Sequence, residues 1–227
     1  MAKRKTKKQT KKIEVKTQPT DFVKKQRRQL IWIFAIIVLI FVVVIGGYYF
    51  IKSLSRFSYV GVTWEKLDYQ GIDLYHSRFP VVFDGKLQNN YNLYLRTDPR
   101  ENNVSVDAIY AFYPNIVIAN DENSGNCYNA GMANLVGAQF LGAIGFNVSG
   151  AYSNKSLANA TGMQFANCSS AYGQTVLLIK KSENNASIGQ SNDNPNCYIL
   201  EVGECENLKV MEKLIISVVG KSTGHPI

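Results

Sequence analysis

From Leu30 to Ile51 the chain reads LIWIFAIIVLIFVVVIGGYYFI, 22 residues without a charged side chain. At 1.5 Å rise per residue a helix of that length spans about 33 Å, close to the thickness of bilayer hydrocarbon, so the run predicts a transmembrane helix. Trp32 lies near one end and Tyr48 and Tyr49 near the other, where amphipathic rings settle among headgroups. A cleaved signal peptide has an apolar region of about 7 to 15 residues followed by small residues. This run is longer and passes into YYFIKSLSRF, so it is expected to remain as an anchor.

Beyond a linker at 52–56 the period changes to two. FSYVGVTWEKL, GIDLYHSRFPVVFDGK and YNLYLRTD are rich in aromatic and β-branched residues and are separated by DYQG and the pair Asp84-Gly85. That pattern predicts an antiparallel meander. VDAIYAFY and NIVIAN are two further strand candidates. Between Asn129 and Phe146 the period becomes helical, with Met132, Leu135, Val136, Phe140, Leu141 and Ile144 at three- and four-residue spacing. A short helix or loop, SLANATGMQFANC, leads to the strand TVLLIKK, then to SENNASIGQSNDNPN, which reads as an exposed loop. The strand CYILEVG and a helix over ENLKVMEKLIISVVGK complete the order, with Leu208, Met211, Leu214, Ile215 and Val218 on one helix side. Strand, glycine-rich helix, strand is a crossover outline that would make NIVIAN and TVLLIKK parallel neighbours. The expected fold is one α+β domain over 57–220, a mostly antiparallel sheet with two helices on one face, followed by a tail at 221–227.

Charge orients the arrangement. Residues 1–29 carry twelve Lys or Arg against Glu14 and Asp21, a balance of +10, while the whole chain is +8, so the remainder is −2. By the positive-inside rule this basic tail, expected to be disordered, stays cytoplasmic and sends the large domain outside. MAKRKTKKQTKK could gather phosphates, but it lacks interleaved aromatics and a recognition fold. Beside a bilayer it meets anionic lipid first, at about 1 kcal/mol per basic residue, so lipid is the expected partner and nucleic acid is not.

Cys127, Cys168, Cys197 and Cys205 all fall in the large domain, an even number where disulfides would persist. Of three pairings, the spacing favours Cys197 with Cys205, which flank YILEVGE, leaving Cys127 with Cys168 around the glycine-rich helix. Asn-X-Ser/Thr sequons at Asn103, Asn147, Asn154, Asn159, Asn167 and Asn185 fall there as well, as expected of a glycosylated exterior. A metal site is not expected, since no Cys-X-X-Cys pair occurs and the only histidines, His76 and His225, are far from the cysteines in sequence.

Catalytic signals are sparse. There is no phosphate loop, no His-Glu zinc helix and no nucleophile elbow, so no catalytic residue and no cofactor are assigned. Tyr91, Leu93 and Leu95 should line one strand face and Asn92, Tyr94 and Arg96 the other, after which Asp98-Pro99 makes a turn. Arg96 and Arg100 flank Asp98. An internal ion pair is the structural reading of this trio, and a site for a carboxylate, sulfate or acidic sugar the functional one.

The block LYLRTDPREN, after a basic tail and a single apolar helix, resembles blocks in uncharacterised membrane-anchored proteins of archaea, several with cysteines in the later half. The resemblance implies an archaeal cell surface and no reaction. The function expected is a non-enzymatic single-pass anchor displaying a disulfide-stabilised domain for binding, or as a subunit of a surface or membrane complex. One version packs the membrane helix on an integral partner through Gly46 and Gly47. The alternative is an anchored exterior enzyme acting on envelope polymers, which would need Asp73, Asp84, Asp121 and Glu122 to converge.

Overall fold

The structure, a computed structural model, describes residues 20–83, 86–124 and 127–227. The chain divides into one unit ending at Ser53 and a second, Leu54–Ile227. The first holds helix α1, Thr20–Leu54. Its segment Lys24–Ser53 is long and apolar enough to cross a membrane, and its large apolar side chains are exposed along the helix. The helix starts ten residues ahead of the apolar run, so Lys24, Lys25, Arg27 and Arg28 are helical rather than part of an unstructured tail. The rest of that basic tail lies outside the described residues.

The second unit is α+β and contains two sheets. Strands β1 (Arg56–Tyr59), β2 (Val62–Tyr69), β3 (Ile72–Phe83) and β4 (Lys86–Leu95) form the expected antiparallel meander in sequence order. Val60 with Gly61, and Gln70 with Gly71, take positive φ in the first two turns, the backbone that two-residue hairpins require. The Asp84-Gly85 turn lies outside the described residues. The remaining strands are β5 (Ser105–Asp107), β6 (Asn115–Asn120), β7 (Asn147–Tyr152), β8 (Gln164–Phe165), β9 (Thr175–Lys181), β10 (Ser187–Gln190) and β11 (Cys197–Val202). They form one sheet ordered β5-β10-β11-β9-β6-β7-β8, parallel at every step except between β10 and β11. Helices α2 (Ala130–Ala143), α3 (Lys155–Thr161) and α4 (Asn207–Ser222) complete the unit.

The sheet is therefore not mostly antiparallel, and the burial of its strands explains why. β6, β9 and β11 are buried at successive positions, as parallel strands covered on both faces are, whereas β4 alternates as a half-exposed strand does. NIVIAN and TVLLIKK are parallel neighbours, as the crossover outline predicts. The crossover from β6 through α2 lands first on β7, a polar glycine-containing strand without a hydrophobic signature. SENNASIGQSNDNPN is not wholly loop, since it contains β10. VDAIYAFY leaves the sheet after Asp107, where Tyr110 and Phe112 turn to pack on Tyr198 with ring centroids 5.5 and 5.3 Å away. The Tyr198 hydroxyl holds that irregular segment, accepting from Ala111 N–H at 2.7 Å and donating to the Ile109 carbonyl at 3.0 Å.

Helix α4 is buried on nearly every side, Glu212, Lys213 and Ser217 included, so its polar side chains need partners within the domain. One core joins Trp64, Leu93 and Leu95 of the meander to Leu214, Ile215 and Val219 of α4, and to Ile116, Ile118, Leu177 and Leu200 of the mixed sheet. The opposite face of the mixed sheet carries a thinner layer of Val117, Ala119, Ala151, Val176 and Cys197.

Both disulfides predicted for this domain form, with different partners from those expected: Cys127 with Cys205, and Cys168 with Cys197, each with Cα atoms 5.2 Å apart. Strand direction decides the pairing. Cys197 opens β11 and Cys205 lies past its far end, so the strand separates them by about 20 Å, well beyond disulfide reach. Because β9 and β11 are parallel, the start of β11 lies beside the turn at Cys168–Ser170 that feeds β9. Cys205 emerges at the opposite end, where the loop after β6 carries Cys127.

Candidate functional site

The segment after β4 is fastened by its own carboxylate and by two charged residues of α4. Asp98 Oδ1 accepts Arg100 N–H at 2.9 Å and Nε–H at 3.0 Å, and Oδ2 accepts from the Arg100 guanidinium at 2.6 Å. These bonds, led by the guanidinium, hold the Asp98 carboxyl below the usual aspartate range. The same guanidinium lies 3.7 Å over the Phe57 ring, a cation–π contact. Arg96 presents an exposed side chain while its backbone N–H donates to Glu212 Oε1 at 2.6 Å, beside Thr97 N–H to Oε2 at 3.1 Å. Lys213 Nζ donates to the Asn102 carbonyl at 3.0 Å, and Asn102 Nδ2 to the Lys209 carbonyl at 2.8 Å. The structural reading of the trio thus has its ion pair. An anion arriving at Arg100 would compete with Asp98 for the guanidinium fork.

Asp73, Asp121 and Glu122 of the enzyme reading each have a structural partner. Asp73 pairs with Lys66 at 2.7 Å on the β2–β3 hairpin. Asp121, after β6, accepts Ser124 N–H at 2.5 Å and Lys181 N–H at 3.2 Å, and Glu122 accepts from Asn154 Nδ2 at 3.1 Å. Asp84 lies outside the described residues. His76 stacks on Tyr94 at 4.7 Å, and His225 Nδ1 lies 2.9 Å from the Thr223 carbonyl. Among the described residues no three His, Cys, Asp or Glu side chains gather as metal ligands. Of the sequons, Asn103, Asn147, Asn159 and Asn185 are exposed. Asn154 and Asn167 are half-buried and cap α3 and the turn at Cys168–Ser170 with their side-chain oxygens.

A different feature carries polar groups without partners. Between α2 and strands β6 and β7 runs a groove of about 340 Å³, with Ile118, Val148 and Ala138 as apolar lining, Asn120, Asn134 and Tyr152 as polar lining, and Met163 on its border. Asn120, 8% exposed, ends β6, and Asn134 lies on the second turn of α2. The side-chain oxygens of both are buried and accept no hydrogen bond. An orphaned buried acceptor costs about 1 to 3 kcal/mol, so both asparagines lower the stability of the domain. The groove lies beside the carboxyl ends of β6 and β7, where open α/β sheets bind ligands.

The periodicity reading assigned no role to either asparagine. The signal available was a polar residue closing the apolar run NIVIAN and another inside the apolar helix AGMANLVGAQF. The larger groove, about 520 Å³ and lined by Phe79, Val81, Phe140 and Val218, is apolar, and its Ser222 and Thr223 hydroxyls already donate to backbone carbonyls. No protein-family model, no curated protein and no solved structure matches the chain.

Proposed function

We propose that the chain is a single-pass membrane protein with its basic N-terminal segment in the cytoplasm and its Leu54–Ile227 unit outside, working as a binding domain or as a subunit of a surface complex. The observation that carries this is the closure of all four cysteines into two disulfides within a unit that follows in sequence on a helix long and apolar enough to cross a membrane. Disulfides persist in oxidising compartments, and a run of cations ahead of such a helix resists translocation. The resemblance of LYLRTDPREN to membrane-anchored archaeal proteins points the same way. Anionic lipid is the partner of the basic tail, and a surface or membrane protein the partner of the domain.

Protease added to sealed cells should digest the domain and leave a protected fragment containing the basic tail. A domain that resists until the cells are lysed would invert the orientation and end the reading.

A further inference from the structure

We infer that Asn103 and Asn185 carry N-linked glycans, set side by side on one face of the folded domain. Strand register brings the two sequons together. Ser105 of β5 and Ser187 of β10 are direct partners in a parallel pair, so Asn103 and Asn185 each lie two residues ahead of a paired serine. The tripeptides are also alike in burial: Val104 and Ala186 are 4% and 9% exposed, and the asparagine before each is exposed. The buried middle residue anchors each tripeptide to the core and leaves its asparagine at the surface. Both asparagines border one groove of about 390 Å³, together with Glu183, Glu204 and Lys209.

An N-linked sugar is bulky and occupies the amide nitrogen, so the state of that nitrogen in the folded domain sorts the six sequons. Asn147 Nδ2 donates to Asn115 Oδ1 and Asn154 Nδ2 to Glu122 Oε2, each at 3.1 Å. Asn167 is half-buried, and its side chain closes the cap of the Cys168–Ser170 turn. Those three side chains hold the fold. By contrast, the side chains of Asn103, Asn159 and Asn185 are exposed and make no hydrogen bond among the described residues. Asn159 lies by itself on α3, whereas Asn103 and Asn185 share their groove. In the transfer, Nδ2 forms a bond to C1 of the first sugar as the C1–O bond to a lipid-linked phosphate breaks, and the proton lost from Nδ2 leaves with the lipid phosphate. The folded domain accommodates the sugar only where the amide has room, whether transfer precedes folding or follows it. Sugars on both asparagines close that face to a protein partner. The inference rests on the exterior reading of the domain, the side of the membrane on which sequons are modified.

The full chain is isolated from the membranes of the cells that make it, and its peptides are mapped by mass spectrometry. Asn103 and Asn185 should each carry a glycan, while the peptide positions Asn154 and Asn167 should be unmodified. Asn103→Gln and Asn185→Gln should each remove a single glycan from the intact mass, and the double variant should remove both. Ser105→Ala keeps Asn103 but breaks its sequon, so it should lose the same glycan, and it carries the test should Asn103→Gln fail to fold. An unmodified Asn103 or Asn185 in a chain whose domain protease reaches from outside overturns the inference and leaves the orientation standing. A glycan on Asn154 or Asn167 overturns it as well. A domain that protease reaches only after lysis ends the exterior reading, and this inference falls with it.

Discussion

Glu212, 1% exposed on the last helix, accepts the backbone N–H groups of Arg96 and Thr97 at 2.6 and 3.1 Å, across 116 and 115 residues of sequence. Two donors that the end of β4 would leave unpaired are thereby satisfied, one by each carboxylate oxygen. The contact joins the meander to α4, and through α4 to the mixed sheet.

Removing that carboxylate orphans both N–H groups. Glu212→Ala is expected to cost about 3 kcal/mol or more, from two charge-assisted hydrogen bonds at about 1.5 to 3 kcal/mol each less the relief of uncovering a buried charge. Glu212→Gln retains one acceptor and should cost less. Burial, outweighing the Arg96 and Thr97 donors, pushes the Glu212 carboxyl above the usual glutamate range. Its contribution is fully present below the unfolded-state value and falls as pH rises through the folded one. Urea midpoints across mildly acidic pH should show this fall in the parent chain and a flatter profile in Glu212→Gln.

Asp98 behaves with the opposite sign. Its carboxyl is held low by Arg100, so its stabilisation is present above the ordinary aspartate value and is lost as pH falls through the folded one. Asp98→Asn is expected to cost about 2 kcal/mol, the loss of charge-assisted bonds to a side chain and a backbone N–H. Arg100→Lys should cost less, since the charge remains while the fork and the Phe57 stacking are lost. Chemical denaturation at pH 7 and near pH 3 should show Asp98→Asn narrowing its deficit at the lower pH.

The disulfides give a prediction that mass spectrometry reads directly. Non-reducing peptide maps should contain Cys127 linked to Cys205 and Cys168 linked to Cys197, and no Cys197–Cys205 peptide. With sequence separations of 78 and 29 residues, loop-closure entropy assigns about 4.5 and about 3.6 kcal/mol to the two bridges. Replacing the Cys127–Cys205 pair by serines should therefore lower the melting temperature more than replacing Cys168–Cys197.

Much of this architecture was legible in the sequence because local pattern determined it. Tyr91, Leu93 and Leu95 alternate with exposed Asn92, Tyr94 and Arg96, since a strand covered on one face must alternate. The parallel pairing of NIVIAN with TVLLIKK was legible because both are apolar strands separated by helix-length crossovers, although the α2 crossover itself lands on β7. Cysteine pairing was hidden because it depends on which strand ends lie together, and that is a property of the whole sheet. Periodicity placed Leu208, Met211, Leu214, Ile215 and Val218 on one side of the last helix, whereas the segment after β4 also covers Glu212 and Lys213. That the Asn120 and Asn134 oxygens lack partners was hidden for a related reason. Whether an amide has a partner is decided by neighbours distant in sequence.

The two glycines within α2 that lie five residues apart should respond in opposite directions. A Cβ at Gly137 would lie 2.5 Å from Met211 Sδ and 3.0 Å from its Cε, whereas one at Gly142 meets nothing within 4 Å. Gly137 is buried where α2 packs on α4, and Gly142 is exposed. Alanine at either site gains helix propensity, up to about 1 kcal/mol. At Gly142 nothing opposes that gain, so Gly142→Ala should stabilise the domain by about 0.5 to 1 kcal/mol. At Gly137 the methyl displaces the middle of a fully buried methionine, an overpacking that costs about 1 to 3 kcal/mol. The methionine cannot relax as an exposed side chain would, because Met211 is itself enclosed by the core, so Gly137→Ala should be destabilising in net. Shortening the neighbour tests the cause: in a Met211→Ala background, which removes the Cγ, Sδ and Cε contacts, the penalty of Gly137→Ala should shrink. Thermal melts of the four chains in this double-mutant cycle give the coupling directly, and an additive pair would mean that the close approach of α2 to α4 is not what places glycine at position 137.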